Sequence, residues 1–454
     1  MLELISYFNF VLALTISAAY FYQLVYLMYG LFSLHKPWIF VAQKQHRYAV
    51  MISARNEEEV IGELIGSLTA QNYPRELLDI YVVADNCTDD TAGAARRAGA
   101  TVYERFDTVN KGKGYALGYL LHELKADIGE SGYDGFFVFD ADNIIDPNFV
   151  NEMNKVFDTG DYQALTSYRN SKNFADNWIS AGYGLWFMRE ARFLNFPRML
   201  IGTNCAISGT GFLISAEVVH QNGGWPYHLL TEDIEFSANC ALKGQRIGYC
   251  ETAVLYDEQP VTFKQSWDQR LRWSKGFYQV DFKYGLSLLK GCFTHKTSKF
   301  SCYDMLMTVA PGMLLTLVML ALNLILLVTC FTEPAYIARR IFHEASGAVI
   351  SAIVMFYISL FTFGAATTIT EWKKIAATTK QKILYTFTFP LFLFTYVPIA
   401  VVALVSKVEW KPIKHQSRIE GSGSFFCGAG AAKAGKSGRT EPKIRLNKKI
   451  QKRG

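Results

Sequence analysis

Gly135-Phe136-Phe137-Val138-Phe139-Asp140-Ala141-Asp142 drives a short apolar run straight into two carboxylates separated by one alanine. A run of this length, aromatic and β-branched, reads as a buried strand. Two earlier stretches repeat it. Residues 48–53 (Tyr-Ala-Val-Met-Ile-Ser) lead into Ala54-Arg55-Asn56-Glu57-Glu58, and residues 79–84 (Asp-Ile-Tyr-Val-Val-Ala) lead into Asp85-Asn86-Cys87-Thr88-Asp89-Asp90. Helical stretches fill the intervals. Strands alternating with helices predict an α/β fold with a doubly wound, mostly parallel sheet, whose ligands collect at the carboxyl ends of the strands. All three polar clusters fall at such ends.

Outside this polar island the chain is built for a bilayer. Of its 454 residues 50% are hydrophobic and 15% aromatic. Stretches 5–32, 305–331, 347–370 and 383–406 carry no charge and are long enough to cross a membrane, which takes roughly 20 helical residues. The first lacks a small-residue cleavage site and reads as an uncleaved anchor. The expected organisation is an anchor at 1–35, a polar α/β domain at 45–260, amphipathic helices at 261–300, three membrane segments at 303–406, and a basic disordered tail at 407–454. Stretches 184–200 and 265–290 mix aromatic residues with arginine and lysine, so both read as helices lying in the headgroup plane.

Lys36, Lys44 and Arg47, and then Lys373, Lys374, Lys380 and Lys382, mark their loops as cytoplasmic and place the polar island on that side. Four crossings would leave the basic tail outside, against the same rule. One stretch is therefore expected to be re-entrant or interfacial, with those holding Pro311 or Pro390 and Pro398 as candidates. The net charge of +6 owes much to the tail and does not point to nucleic acid. Uncharged spans argue against an ion-coupled transporter. The absence of Gly-x-Gly-x-x-Gly after the first strand argues against a nicotinamide enzyme.

The chemistry lies in four places. Asp140 and Asp142 can face one hard cation such as Mg²⁺ or Mn²⁺, although Asp-x-Asp alone suits a solvated turn equally well. Asp85 is either a ligand-binding acid or a turn residue. Asn110-Lys111-Gly112-Lys113-Gly114 is a basic loop for phosphate or a plain exposed turn, and its spacing is not that of a Walker A loop. Thr231-Glu232-Asp233 opens a helical stretch, where an acid is a cap or a base for an attacking hydroxyl. Gln269-Arg270-Leu271-Arg272-Trp273 adds cations and a flat aromatic face, serving a ligand or internal cation–π pairing.

Together, residues 53–58, Ala84-Asp85-Asn86, Asn110-Lys111-Gly112, Asp140-Ala141-Asp142, Gly209-Thr210-Gly211, Thr231-Glu232-Asp233 and Gln269–Trp273 resemble, in order and spacing, the membrane-embedded branch of glycosyltransferase family 2. That branch includes cellulose, chitin, hyaluronan and poly-N-acetylglucosamine synthases, and Trp410-Lys411-Pro412 resembles its bacterial members. The resemblance implies a GT-A fold and a nucleotide-sugar donor, usually a UDP-sugar. Asp85 would hold the nucleoside, Asp140 and Asp142 the diphosphate through Mg²⁺ or Mn²⁺, and Asp233 would be the general base. Asn56, Glu57, Lys111, Glu232, Gln269, Arg272 and Trp273 would contact donor or acceptor. One departure is Asn86, where many members carry a second acid.

A multi-pass enzyme of the cell membrane follows, with its catalytic domain in the cytoplasm, in contact with membrane lipids and open to accessory subunits. It would extend a polysaccharide. The alternatives are transfer of one sugar to a lipid acceptor, or a non-catalytic scaffold or export subunit.

Overall fold

The computed structural model describes residues 2–32, 40–128, 132–296, 298–310 and 312–408. Lys36, Pro311, Trp410-Lys411-Pro412 and the basic tail lie outside the described residues.

The strands are β1 (Tyr48–Ala54), β2 (Leu78–Asp85), β3 (Thr101–Arg105), β4 (Gly135–Asp140), β5 (Ile144–Ile145), β6 (Ala164–Ser171), β7 (Phe212–Ser215) and β8 (Ile247–Asp257). They form one sheet in the order β3-β2-β1-β4-β7-β6-β8-β5. The first half is the parallel sheet read from sequence: β1 pairs in parallel with β2 and β4, and β2 with β3. The second half is mixed, since β7 runs antiparallel to β4 and β6, β5 antiparallel to β8, and β6 parallel to β8. Val50, Met51, Ile52, Val82, Val83, Phe137, Val138 and Phe139 are fully buried, as strands covered on both faces require.

Register delivers the acids to one edge. Ser53 is aligned with Asp140 across β4, Ala54 with Ala84 across β2, and Asp85 with Arg105 across β3. The chain then turns through Asn56 and Asn86, whose φ values of 58° and 53° lie in the left-handed region where asparagine is among the few tolerated side chains. This accounts for Asn86 as the neighbour of Asp85.

Three described helices are long and apolar enough to cross a membrane: Ser6–Phe32, Ala335–Thr370 and Thr379–Val405. The third of the expected spans begins earlier than its apolar core, so that Arg339, Arg340 and Glu344 belong to the same helix. The expected span at 305–331 is broken. Helix Lys299–Val309 ends where Ala310 turns extended (ψ 136°), as the residue before a proline is driven to do. The next helix is Gly312–Thr329, so the expected span is two helices rather than one. The stretch with Pro390 and Pro398 is divided at Thr395 into Thr379–Phe394 and Tyr396–Val405. It is held against protein, with 39% of its apolar window buried against 11% and 6% for the other two.

The two stretches expected in the headgroup plane differ. Helix Phe263–Thr294 exposes Phe282, Leu286 and Phe293 along one side and buries Gly276, Val280 and Leu288 on the other. Residues 184–200, by contrast, are not a surface helix. They span Trp178–Glu190, a π-helical segment Ala191–Asn195 and helix Phe196–Ile201, and Leu185, Phe187, Met188, Phe193 and Phe196 are all buried. Arg189 and Arg198 are internal, because this stretch is wedged between the sheet and the membrane helices.

Candidate active site

A cavity of about 810 Å³ opens at the carboxyl edge of the sheet. It is lined by Glu57, Asp85, Asp140, Asp142, Glu232, Asp233, Gln269, Arg272 and Trp273, the residues singled out from sequence. Two others are elsewhere. Lys111 is exposed on its loop and does not line the cavity; Lys113 does. Asn56 is exposed and ties two turns together, its Oδ1 accepting from the Thr88 N–H at 2.8 Å.

Lys113 opens helix Lys113–Ile128. Its Nζ donates to Asp140 Oδ1 (2.5 Å) and to the Gly209 carbonyl (2.7 Å). Burial pulls its pKa down, but the carboxylates of Asp140 and Glu232 outweigh that and raise it. The amine is therefore a fixed cation between the Asp-x-Asp turn and the Glu232–Asp233 pair.

Asp85 is buried and accepts from Arg105 Nη1 (2.6 Å) and Asn86 Nδ2 (3.0 Å). Arg105 also donates to Asp107 (2.9 Å) and to the Asn110 carbonyl (2.7 Å), so it secures the basic loop as well. Asp142 lies beside Asp257, the last residue of β8, which is clamped by Arg169 through Nε (2.6 Å) and Nη2. Burial, then Asp140, pushes the Asp142 pKa up. Burial pushes Asp257 to about 7, and burial with Asp142 and Asp140 pushes Glu57 to about 9. These acids are crowded and buried, and burial outweighs the pull of Arg169 on Asp257.

Asp233 stands in the first turn of helix Glu232–Lys243 and accepts from the Gly209 N–H (2.6 Å). Gly209 presents that N–H from φ 79°. Gly211, at φ 67°, lies so close to Leu255 and Ser167 that a Cβ would meet the leucine at 1.8 Å. The Gly-Thr-Gly run is thus a backbone requirement, and its Gly209 lines the cavity. Burial raises the Asp233 pKa against the pull of the Ile234 and Gly209 N–H groups, and burial with Asp233 raises Glu232 to about 7. A buried carboxylate of raised proton affinity is suited to take a proton from a hydroxyl.

The two arginines of the Gln-x-x-Arg-Trp run face apart. Arg270 is buried, donates to the Phe392 carbonyl (3.0 Å) and Thr395 Oγ1 (2.6 Å), and stands 4.4 Å from the Phe392 ring centre. Arg272 lines the cavity and donates to the Leu230 carbonyl (3.3 Å). Trp273 is edge-on to Tyr183 at 5.7 Å. Gln269 Oε1 is buried without a hydrogen-bond partner among the described residues, an acceptor left for a ligand.

Sequence reasoning missed Arg105, Arg169 and Asp257, and it named Lys113 only as part of the basic loop from which it singled out Lys111. For Asp257 the signal was present, since residues 253–257 (Ala-Val-Leu-Tyr-Asp) are another short apolar run ending in an acid.

Asp140 and Asp142 suit a hard dication, because their donors are carboxylate oxygens and burial with Asp140 holds the Asp142 carboxyl above its usual range. Among the described residues no group of three or more His, Cys, Asp or Glu side chains is arranged to hold a metal by itself. Two protein carboxylates with a substrate diphosphate completing the shell fit that arrangement.

Residues 46–276, half of the chain, match the model of glycosyltransferase-like family 2. A β-monoglucosyldiacylglycerol synthase of Synechocystis is 26% identical over 235 residues, covering 52% of this chain and 48% of that relative. A poly-β-1,6-N-acetyl-D-glucosamine synthase of Staphylococcus aureus is 26% identical over 264 residues, covering 56% and 58%. The chain thus spans about half the length of the curated relatives it matches. Among solved structures, a mannosyltransferase of Pyrobaculum calidifontis in complex with GDP-Man and Mn²⁺ superposes with a TM-score of 0.52 at 18% identity, covering 89% of this chain and 99% of that one. The fold is therefore of the GT-A type. Every acid-bearing strand end and the whole Gln269–Trp273 run fall inside the family match, and the protein belongs to glycosyltransferase-like family 2.

Proposed function

We propose that the protein transfers a sugar, with inversion at the anomeric carbon, from a nucleotide-sugar to an acceptor hydroxyl at the cytoplasmic face of the cell membrane. One observation carries this reading: Asp140, Asp142, Asp233, Arg272 and Trp273 share a single cavity with residues of the membrane helices. A UDP-sugar is the donor favoured by the family resemblance. The cytoplasmic assignment rests on the basic loops flanking the spans.

Asp233 would accept the proton of the acceptor hydroxyl. The oxygen then attacks the anomeric carbon from the face opposite the diphosphate, the glycosyl–phosphate bond breaks, and the nucleoside diphosphate leaves with the electron pair. Lys113 and Arg272 would stabilise the charge gathering on the leaving group. Asp140 and Asp142 would hold a Mg²⁺ or Mn²⁺ ion, which when bound supplies further neutralisation of the diphosphate. Asp85 would face the nucleoside, with Arg105 fixing its carboxylate. Trp273 would offer its face to a sugar ring.

A growing polysaccharide is the acceptor expected from the Gln-x-x-Arg-Trp run. The apolar lining of the cavity between the membrane helices favours a second reading, a lipid-linked acceptor. The test is nucleotide release by membranes holding the full chain, across a panel of UDP-sugars, with Mn²⁺ or Mg²⁺ and then with EDTA. Metal-dependent release with one sugar, abolished in Asp233→Asn, is the expected result. Release unaffected by Asp233→Asn would sink the assignment. A high-mass ladder would name a polymer, and a single lipid-soluble product a glycolipid.

A further inference from the structure

The cavity does not end at the sugar-transfer residues. It continues between the membrane helices, past Ile16 and Tyr20 of the first, Ile353, Phe356 and Leu360 of Ala335–Thr370, and Val397. Where the polar and apolar parts meet, Arg189 lines the wall.

Arg189 differs from the other arginines of its stretch. Arg198 is held by Asp304 through two hydrogen bonds of 2.7 and 2.8 Å, with Tyr26 donating to the same carboxylate. Arg192 has Glu251 at 3.7 Å. Arg189 is only 8% exposed, yet among the described residues it makes no ion pair. It donates to Gln23 Oε1 (3.2 Å) and stands 5.1 and 4.8 Å from the rings of Trp186 and Phe363. The adjacent acid, Glu190, accepts instead from Ser208 (3.1 Å). Burial lowers the Arg189 pKa only to about 10, so the side chain stays cationic at neutral pH. The Glu190 carboxylate acts on it electrostatically without pairing with it, and a buried cation with no ion pair, facing a cavity, is costly unless a ligand brings the anion.

Its depth narrows what that ligand is. Gln23 lies nine residues before the end of its helix at Phe32, and Phe363 seven before Thr370. At a rise of about 1.5 Å per residue these are roughly 14 and 11 Å from the helix ends. A 31-residue helix is roughly 46 Å long against a hydrocarbon core of about 30 Å, so this level borders the headgroups rather than the membrane centre.

We propose that the acceptor is a phosphate-bearing amphiphile, with its apolar chain between the first membrane helix and Ala335–Thr370 and its phosphate held by Arg189. The hydroxyl to be glycosylated projects toward Asp233. This narrows the acceptor of the transferase reading and rests on it. The acceptor phosphate is an anchor and keeps all its bonds. The atoms exchanged are the hydroxyl proton, which passes to Asp233, and the sugar, whose bond to the nucleoside diphosphate is replaced by one to the acceptor oxygen.

The test uses the full chain in detergent and reads two quantities: lipid retained, by native mass spectrometry, and nucleotide released. The probes are dioleoylphosphatidylglycerol, an isoprenyl-phosphate-linked sugar, and neutral dioleoylglycerol. Retention of a phosphate-bearing probe about tenfold or more above dioleoylglycerol is expected from one desolvated charge-assisted contact. The phosphate probe retained better names the chain type. Arg189→Gln should erase the preference and Arg189→Lys should keep part of it. Equal retention of dioleoylglycerol by the wild type, or an undiminished preference in Arg189→Gln, would overturn the inference. Should Arg189→Gln not fold, the wild-type ratio and its narrowing in Arg189→Lys decide. Nucleotide release without lipid preference sinks this inference alone, whereas lipid preference without release from any sugar sinks the transferase reading and leaves Arg189 as a phosphate-lipid site without an acceptor role.

Discussion

Lys113 Nζ lies 2.5 Å from Asp140 Oδ1 and 2.7 Å from the carbonyl of Gly209, whose own N–H is given to Asp233. One amine and one glycine thus link the Asp-x-Asp turn to the candidate base. Lys113→Met leaves Asp140, Glu232 and Asp233 facing one another without that cation. Nucleotide-sugar turnover should fall by about 10²-fold, from loss of one charged partner of the leaving group. Binding of Mn²⁺ should tighten, because the ion no longer competes with an ammonium. Titration calorimetry with Mn²⁺ checks the second outcome, and weaker binding would count against this role for Lys113.

Asp233→Asn keeps an oxygen for the Gly209 N–H and so should preserve the fold while removing the base. Sugar transfer should drop by about 10²- to 10⁴-fold, the usual share of general-base catalysis. Circular dichroism and nucleotide release measured on the same preparation separate the two effects. Activity near wild type would move the base elsewhere.

Acidity should stabilise this domain. Glu57 is raised to about 9, and Glu232 and Asp257 to about 7, chiefly by burial. An acid with a raised folded pKa binds a proton that the unfolded chain has released, so stability falls as pH rises. The fall should be steepest between about pH 5 and 7, where all three groups titrate, and continue more gently to about 9 through Glu57 alone. Thermal unfolding in detergent without divalent ions should show a Tm higher at pH 6 than at pH 8. Glu57→Gln should flatten the upper limb. A Tm rising with pH over this range would contradict the assignment.

Arg270 and Arg272 stand two residues apart in the same motif and should fail differently. Arg270→Ala opens a buried site against Phe392 and Thr395 and should cost about 3 kcal/mol or more of stability. Arg272→Ala loses a cavity-facing cation and one bond to the Leu230 carbonyl, so it should spare the Tm and depress sugar transfer. Unfolding curves and turnover for both variants check the contrast. A stable Arg270→Ala would remove the structural role.

The acids were legible because they are local. Residues 79–85 and 135–142 each write a buried strand and its polar end within eight residues, and parallel register carries the ends to one edge. The lysine was harder. Lys111 and Lys113 share one loop, and which of them enters the cavity depends on where helix Lys113–Ile128 begins. Asn56, read from sequence as a ligand contact, stands in a left-handed turn.

Alternation of apolar and polar runs determined by itself that this chain is an α/β domain set among membrane helices, with acids at its strand ends. Such patterns express short-range physics: each buried strand needs covering on both faces, and each apolar helix needs lipid or protein around it. Only the tertiary structure decided which charges are neutralised. Arg169 reaches Asp257 because β6 and β8 run side by side, Arg198 reaches Asp304 across 106 residues, and Arg189, on the same stretch, reaches no acid among the described residues. Ion pairing is settled by packing between distant segments, and Arg189, Arg192 and Arg198, within ten positions, are indistinguishable until that packing brings their neighbours to them.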